Sequence, residues 1–363
     1  MIKVVLVTNI PAPYREAVYE TVAADSDIAF HVIYCAKIEA DRKWSFDFGN
    51  YGKSFLGSKA INYFNTAIHF SWGVFKHLKE LNPDVVITVG FGPVMLQAFA
   101  WTLIKKRAHV PFTDGTIHSE SHLTKVHRII RRLIYKRSQC FIGASEKSLD
   151  LYRSYGVTEN KLYKSCLCVD NSRFASRPFD QRPYDIMFSG QFRVGKMPFF
   201  FAEVGALIAH KRGSSRALVL GSGPLERDFR KVLDATELDV DFKGFIQPDD
   251  LPTYYASSKV LLFPTQSDAW GVVANEASAS GTPVITCQNA GVSGELVQHG
   301  VNGFVLELNA DSWAEEATDL LNNPKKWQKL SDAGPTVVQP FSSKQAACGI
   351  VDAVRQAVNI DTY

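Results

Sequence analysis

Two acids, Asp268 and Glu276, stand with seven residues between them in the stretch Ser267-Asp-Ala-Trp-Gly-Val-Val-Ala-Asn-Glu-Ala277. The apolar run that ends at Pro264 predicts a buried strand, Val272 opens a predicted helix, Gly281-Thr-Pro283 breaks it, and a second strand resumes at Val284. One acid therefore sits in the loop after a strand and the other inside the following helix. Both reach the same crevice. In open parallel sheets, ligands lie beyond the carboxyl ends of the strands, where helix N-termini offer free N–H groups to phosphate. Carboxylates for hydroxyls beside helix ends for phosphate match the parts of a nucleotide-sugar.

The elements around this stretch alternate strand and helix, which predicts parallel sheets covered by helices. In the first half, predicted strands run over 4–9, 29–35, 84–89, 110–113 and 140–144, with helices over 15–23, from Pro93 through Ala100, and over about 122–137. The second half opens with a strand over 185–188, and residues 175–183 read as a linker. Asn9-Ile-Pro-Ala-Pro-Tyr-Arg15 follows the first strand, where a dinucleotide enzyme places its glycine turn. Its two prolines withhold two N–H donors and make a poor phosphate cradle. Leu220-Gly-Ser-Gly-Pro224 has Glu226 where a dinucleotide fingerprint requires its third glycine. Both features disfavour a dehydrogenase. No repeat of 20 to 50 residues is present, which excludes a solenoid.

The acid pair with its flanking Trp270-Gly271 and Gly281-Thr-Pro-Val-Ile285 resembles the acid-x7-acid signature of retaining glycosyltransferases, specifically family four of the GT-B fold. The resemblance is specific from about Asp185 to Leu306 and looser before it. It implies an α/β protein of two Rossmann-like domains whose parallel sheets face an inter-domain cleft. Residues 1–178 would bind the acceptor and 179–341 the nucleotide-sugar donor, with a C-terminal helix, about 342–358, crossing back onto the first domain. By position, Asp268 would contact hydroxyls of the donor sugar and Glu276 the ribose. The backbone of Trp270, Gly271 and Val272 would lie near the sugar and phosphates. In Ser189-Gly-Gln-Phe-Arg-Val-Gly-Lys-Met197, Lys196 matches the family's diphosphate lysine, and Gly190 its glycine. Gln191 stands where relatives carry arginine, and Arg193 supplies that charge from the same loop. Preformed cations lower the barrier for a departing diphosphate. Gly223 belongs to a Gly-x-Gly-Pro turn that lets backbone approach the nucleotide, and Phe245 and Ile246 to the segment that receives the base. On the acceptor side the resemblance points to Tyr14 and Arg15. Relatives place a histidine after the strand that ends at Thr113, whereas Asp114 occupies that position here and His118 follows four residues later. Either could hydrogen-bond the donor sugar or orient the acceptor hydroxyl. Asp268 is Asp where the family usually has Glu, one methylene shorter.

Size and composition agree with a soluble two-domain protein: 363 residues, 46% apolar and 21% charged. Six cysteines lie scattered, and Cys166-Leu-Cys168 lacks the second pair a zinc site requires. No metal is expected, and no cofactor beyond the nucleotide-sugar co-substrate. The start, Met-Ile-Lys followed by Val4-Val-Leu-Val-Thr8, is too short for a signal-peptide core, so a cytoplasmic location is expected, or one peripheral at the inner membrane face. Charge divides unevenly. Residues 1–178 carry 24 Lys and Arg against 15 Asp and Glu, and residues 179–363 carry 16 against 22. Within Lys125–Arg137, Val126, Ile129, Ile130, Leu133 and Ile134 share one helical face and six cations fill the rest, with no acid between Ser121 and Gln139. The apolar stripe is expected to pack on the sheet while the cations meet an anionic membrane or a lipid pyrophosphate. Nucleic acid is not an expected partner, because no recognised module accompanies the helix. The function these readings predict is transfer of a sugar from a nucleoside-diphosphate-sugar to a hydroxyl of a glycan or lipid-linked acceptor, with retention, in cell-surface polysaccharide assembly. UDP is favoured over GDP. The rivals are a GT-B epimerase and a non-catalytic nucleotide-sugar-binding protein.

Overall fold

The computed structural model describes residues 1–39, 45, 47–63, 66–121 and 123–360. The chain divides into two compact units, one of Met1–Leu167 with Ser343–Tyr363 and the other of Cys168–Ser342.

Continuous apolar runs such as Val4-Val-Leu-Val7 suit strands covered on both faces, and these residues are fully buried. Unit 1 runs β1 (Ile2–Thr8), α1 (Pro13–Ala23), β2 (Ile28–Tyr34), β3 (Gly52–Phe55), a hairpin of β4 (Lys59–Tyr63) and β5 (Thr66–Phe70), and α2 (Val74–Leu81). It continues with β6 (Val85–Val89), α3 (Pro93–Lys105), β7 (Ala108–Thr113), α4 (Lys125–Arg137), β8 (Phe141–Gly143), α5 (Glu146–Ser154) and β9 (Leu162–Lys164). The seven-stranded sheet has the order β3-β2-β1-β6-β7-β8-β9, and its neighbouring strands pair in parallel. Connections leave β1 and β6 in opposite directions, so the sheet's switch point lies between them. The helix predicted from about 122 begins at Lys125, and His122 lies outside the described residues.

Unit 2 runs β10 (Tyr184–Ser189), α6 (Pro198–Arg212), β11 (Ser215–Leu220), α7 (Glu226–Asp234), β12 (Leu238–Gly244), α8 (Leu251–Tyr255) and β13 (Ser258–Phe263). After these come α9 (Val272–Ala279), β14 (Val284–Cys287), β15 (Gly303–Leu306), α10 (Ala310–Asn322) and α11 (Pro324–Val337). Its parallel sheet has the order β12-β11-β10-β13-β14-β15, with the switch point between β10 and β13. Phe188, Phe192, Phe201 and Phe229 fill the core beside it, with ring centroids 5.3–6.3 Å apart. The last helix, α12 (Ser343–Asn359), belongs to unit 1, where it packs on α1 and on β7 to β9.

Arg182 pins the entry to β10. Its guanidinium is fully buried and donates to the carbonyls of Arg177, Ser258, Ser280 and Gly281 and to the hydroxyls of Ser176 and Thr282, at 2.7–3.2 Å. It also lies 4.8 Å from the Trp327 ring centroid. Burial, with a smaller push from Arg177, pulls its pKa down to about 10, so the group is charged at neutral pH. A buried charge is tolerated only when its donors are satisfied.

Candidate functional site

Two loops at the carboxyl ends of β10 and β13 build the site in unit 2. They are tied together by Thr265 Oγ1 and Gln266 N, which both donate to the Gly195 carbonyl, at 3.0 and 2.9 Å. That bond fixes the register between the loops and brings Lys196 against Asp268. The Lys196 ammonium donates to Asp268 Oδ2, while Asp268 Oδ1 accepts from the Trp270 N–H at 3.2 Å. Asp268 is thus both the partner of the loop cation and a clamp on its own turn. A second set of bonds, Asp268 N to Asn289 O and Gly291 N to Asp268 O, holds this turn to the loop after β14.

Trp270 is fully buried, with Nε1 donating to Asn275 Oδ1 at 2.7 Å and its ring 5.2 Å from that of Phe341. Its side chain is an anchor, and its backbone shapes the loop. Gly271 then turns the chain into α9 at φ +106°, and a Cβ there would lie 2.4 Å from the Phe263 ring. Only glycine meets both demands. Val272 begins α9, whose N-terminus carries no side-chain cap. The N-terminus of α6, entered through Met197 at φ +50°, is likewise uncapped. Two helix ends without a side-chain cap therefore lie at the carboxyl end of the sheet by its switch point.

Glu276 lies in the second turn of α9 and is nearly fully buried. Burial drives its carboxyl up to about 7, against the opposing pull of a Tyr255 hydrogen bond and of the Arg173 charge. The Tyr255 hydroxyl, itself fully buried, also lies 2.9 Å from Ser189 Oγ, so a chain of polar groups runs from α9 to the end of β10. Tyr255, Ser189 and Arg173 carried no role in the sequence reading. Tyr255 and Arg173 lie in segments singled out there, Leu251–Tyr255 and Val169–Phe174, but their side-chain directions are set by tertiary packing. Gln191 and Arg193 are half-buried in the loop after β10, and Phe245 and Ile246 in the loop after β12. Gly190 and Gly223 belong to adjoining turns, and a Cβ on Gly223 would lie 2.6 Å from the Phe192 backbone. The glycine at 223 is thus required by loop-on-loop packing.

Unit 1 places its candidates differently. Asp114 and His118 are both exposed in the loop after β7. Tyr14 is half-buried, whereas Arg15 is buried, donating to the Cys166 carbonyl at 3.3 Å with its guanidinium 4.6 Å from the Phe112 ring centroid. Beyond the ends of β1 and β6 lies a cavity of about 200 Å³ lined by Asn9, His69, Gly90, Phe91 and Met95 among others. His69 is buried, with Nδ1 2.8 Å from Ser58 Oγ and Nε2 2.8 Å from Glu39 Oε1. The sequence does not reveal this cluster, because Glu39, Ser58 and His69 are far apart along the chain and share no spacing pattern.

The basic helix corrects one expectation. The face of α4 turned inward carries Arg131, Ile134 and Tyr135, with Ile130 half-buried, while Val126, Ile129 and Leu133 are exposed. Arg131 pairs with Glu120 at 2.7 Å and stacks 4.2 Å from the Phe91 ring centroid. That stacked ion pair takes the place of the expected apolar contact. No helix among the described residues is long and apolar enough to cross a membrane.

Comparison with known proteins places these features. Residues 170–337 match the family model described as Glycosyl transferases group 1. A D-inositol 3-phosphate glycosyltransferase of Rhodococcus opacus is 27% identical over 246 residues, which is 62% of this chain and 55% of that protein. The chain spans just over half the length of such curated relatives. Two solved structures resemble nearly the whole fold. One is Anabaena Alr3699/HepE in complex with UDP and glucose, with TM-score 0.74, 15% identity, and coverage of 98% of this chain and 100% of that one. The other is a sucrose-phosphate synthase from Thermosynechococcus elongatus, with TM-score 0.75, 16% identity, and coverage of 98% and 99%. The fold is the expected one, α/β of GT-B type with two parallel-sheet Rossmann-like units.

Proposed function

We propose that this chain, whose residues 170–337 match the glycosyl transferases group 1 family model, transfers a sugar from a nucleoside-diphosphate-sugar to an acceptor hydroxyl with retention at the anomeric carbon. The observation that carries the reading is the pairing of Lys196 with Asp268, beside buried Glu276, at the switch point of the unit 2 sheet. Lys196, with Arg193 and the uncapped ends of α6 and α9, neutralises the diphosphate as its bond to the sugar breaks. Asp268 then accepts from sugar hydroxyls and Glu276 from the ribose. The acceptor oxygen attacks the face the diphosphate leaves, and a departing phosphate oxygen takes the acceptor proton. UDP is the favoured carrier, in line with the UDP held by the Anabaena protein.

The acceptor is a glycan or lipid-linked hydroxyl bound by unit 1, with Asp114 and His118 as the exposed groups available to orient it. An anionic membrane surface, met by the cations of α4, is a second partner. The chain then works at the inner membrane face in surface polysaccharide assembly, without a resident metal. The test incubates purified protein with UDP- and GDP-sugars and a panel of glycan and inositol phosphate acceptors. Nucleoside diphosphate release that depends on acceptor, a product with the donor's anomeric configuration, and insensitivity to chelator are expected. Product formed without any acceptor would overturn transfer in favour of epimerisation, and an inverted product would overturn retention.

A further inference from the structure

We propose that the outer face of α4 enters the acyl boundary of an anionic leaflet, with Val126, Ile129 and Leu133 as the inserting side chains. The inference rests on the membrane partnership proposed above and names what that partnership buries. Periodicity alone assigned these residues to the core. Instead they are 64%, 54% and 60% exposed, and at spacings of three and four they line one strip of the helix surface. Isolated exposed apolar residues are ordinary on soluble proteins, but a contiguous row calls for a partner.

The surroundings select the partner. At 100° per residue, Lys125, Arg132 and Lys136 flank the strip on one side and Arg137 on the other, and all four are exposed. No acid interrupts the helix, and Glu120, in the preceding loop, is turned inward onto Arg131. Leu96 and Phe99 of the preceding helix α3 share one apolar cluster with Ile130 and Ile134 of α4. Both helices follow parallel strands of one sheet and run in the same direction, and α3 ends at Lys105. That end exposes Leu103 and Ile104, followed by Lys105 and Lys106. Apolar side chains ringed by cations fit lipid tails beneath anionic headgroups. A dry protein interface would leave the ring of cations facing its own copy.

The experiment measures cosedimentation of the full chain with vesicles of phosphatidylcholine alone and of phosphatidylcholine with about one third phosphatidylglycerol. Binding is expected on the anionic vesicles, and part of it should persist at about 0.5 M salt, where surface charges are screened. Ile129→Glu and Leu133→Glu alter exposed positions, so circular dichroism should be unchanged while binding falls by at least about tenfold. Arg132→Gln with Lys136→Gln should lower binding by roughly twentyfold on anionic vesicles. In Leu133→Trp, the fluorescence should shift to the blue on binding and be quenched by brominated lipid. Stripe variants that bind like the parent, with charge variants that do not, would overturn insertion and leave the electrostatic partnership standing. Absence of binding at low salt would overturn both. A concentration-dependent dimer that Leu133→Glu dissociates, without vesicle binding, would make the occupant a second copy of the chain. Nucleotide-sugar affinity is unaffected in every arm, so these results are separable from the transfer chemistry.

Discussion

Asp268 holds two hydrogen bonds before any ligand arrives, one from the Lys196 ammonium and one from the Trp270 N–H. A diphosphate entering the site competes for the same lysine, so Asp268 restrains the cation it positions. Asp268→Asn should bind nucleoside diphosphate as tightly as the parent or more tightly, while turnover falls by about 10²-fold or more. Equal losses of affinity and turnover would contradict this division of roles. Glu276 supplies a second residue-scale test through its proton. Its folded pKa of about 7 lies above the ordinary 4.5, so the folded state retains a proton that the unfolded state has released. The resulting stabilisation is fully present below about pH 4.5 and is lost as pH rises through about 7, a change of roughly 3 kcal/mol. Glu276→Gln removes the titration. Urea unfolding at pH 5 and pH 8 should show the variant gaining on the parent by roughly 2–3 kcal/mol between the two. A gap that does not change with pH would refute the raised value.

At the scale of elements, Arg182 is the clearest case of a side chain that holds several segments at once. Its acceptors come from the approach to β10, from the start of β13, and from the turn between α9 and β14. Arg182→Met keeps much of the volume but strands buried carbonyls, so a loss of about 3–5 kcal/mol in unfolding free energy is expected. Chemical denaturation measures it, and a loss under about 1 kcal/mol would mean that solvent replaces the guanidinium. The strand-loop-helix-strand run from Ser258 to Cys287 was legible in advance because Pro264, Gly281 and Pro283 punctuate an apolar pattern. Helix α4 was legible as a helix but not in its orientation. Periodicity tells which residues share a face, and the burial of Arg131 over Phe91 decides which face turns inward. The same limit hid the Tyr255–Ser189 contact and the inward turn of Arg15, since neither is encoded in local spacing.

At the scale of the molecule, both units carry a parallel sheet whose connections diverge from a central strand pair; in unit 2 the candidate groups gather at that divergence, and in unit 1 a cavity opens there. The alternation of strand and helix announced this architecture, and the resemblance in the second half supplied the roles that composition could not. In unit 1 the loops differ from the expected pattern, so its cavity near His69 emerged only from coordinates. The central claim is that unit 2 binds a nucleotide-sugar through Lys196 and Glu276. Isothermal titration of UDP-sugars and GDP-sugars into the parent, Lys196→Ala and Glu276→Ala tests it most directly. The account predicts saturable binding by the parent to at least one donor and a loss of about tenfold or more in each variant whose circular dichroism is unchanged. Parent and variants binding every donor with equal affinity, or no donor binding the parent at all, would contradict it.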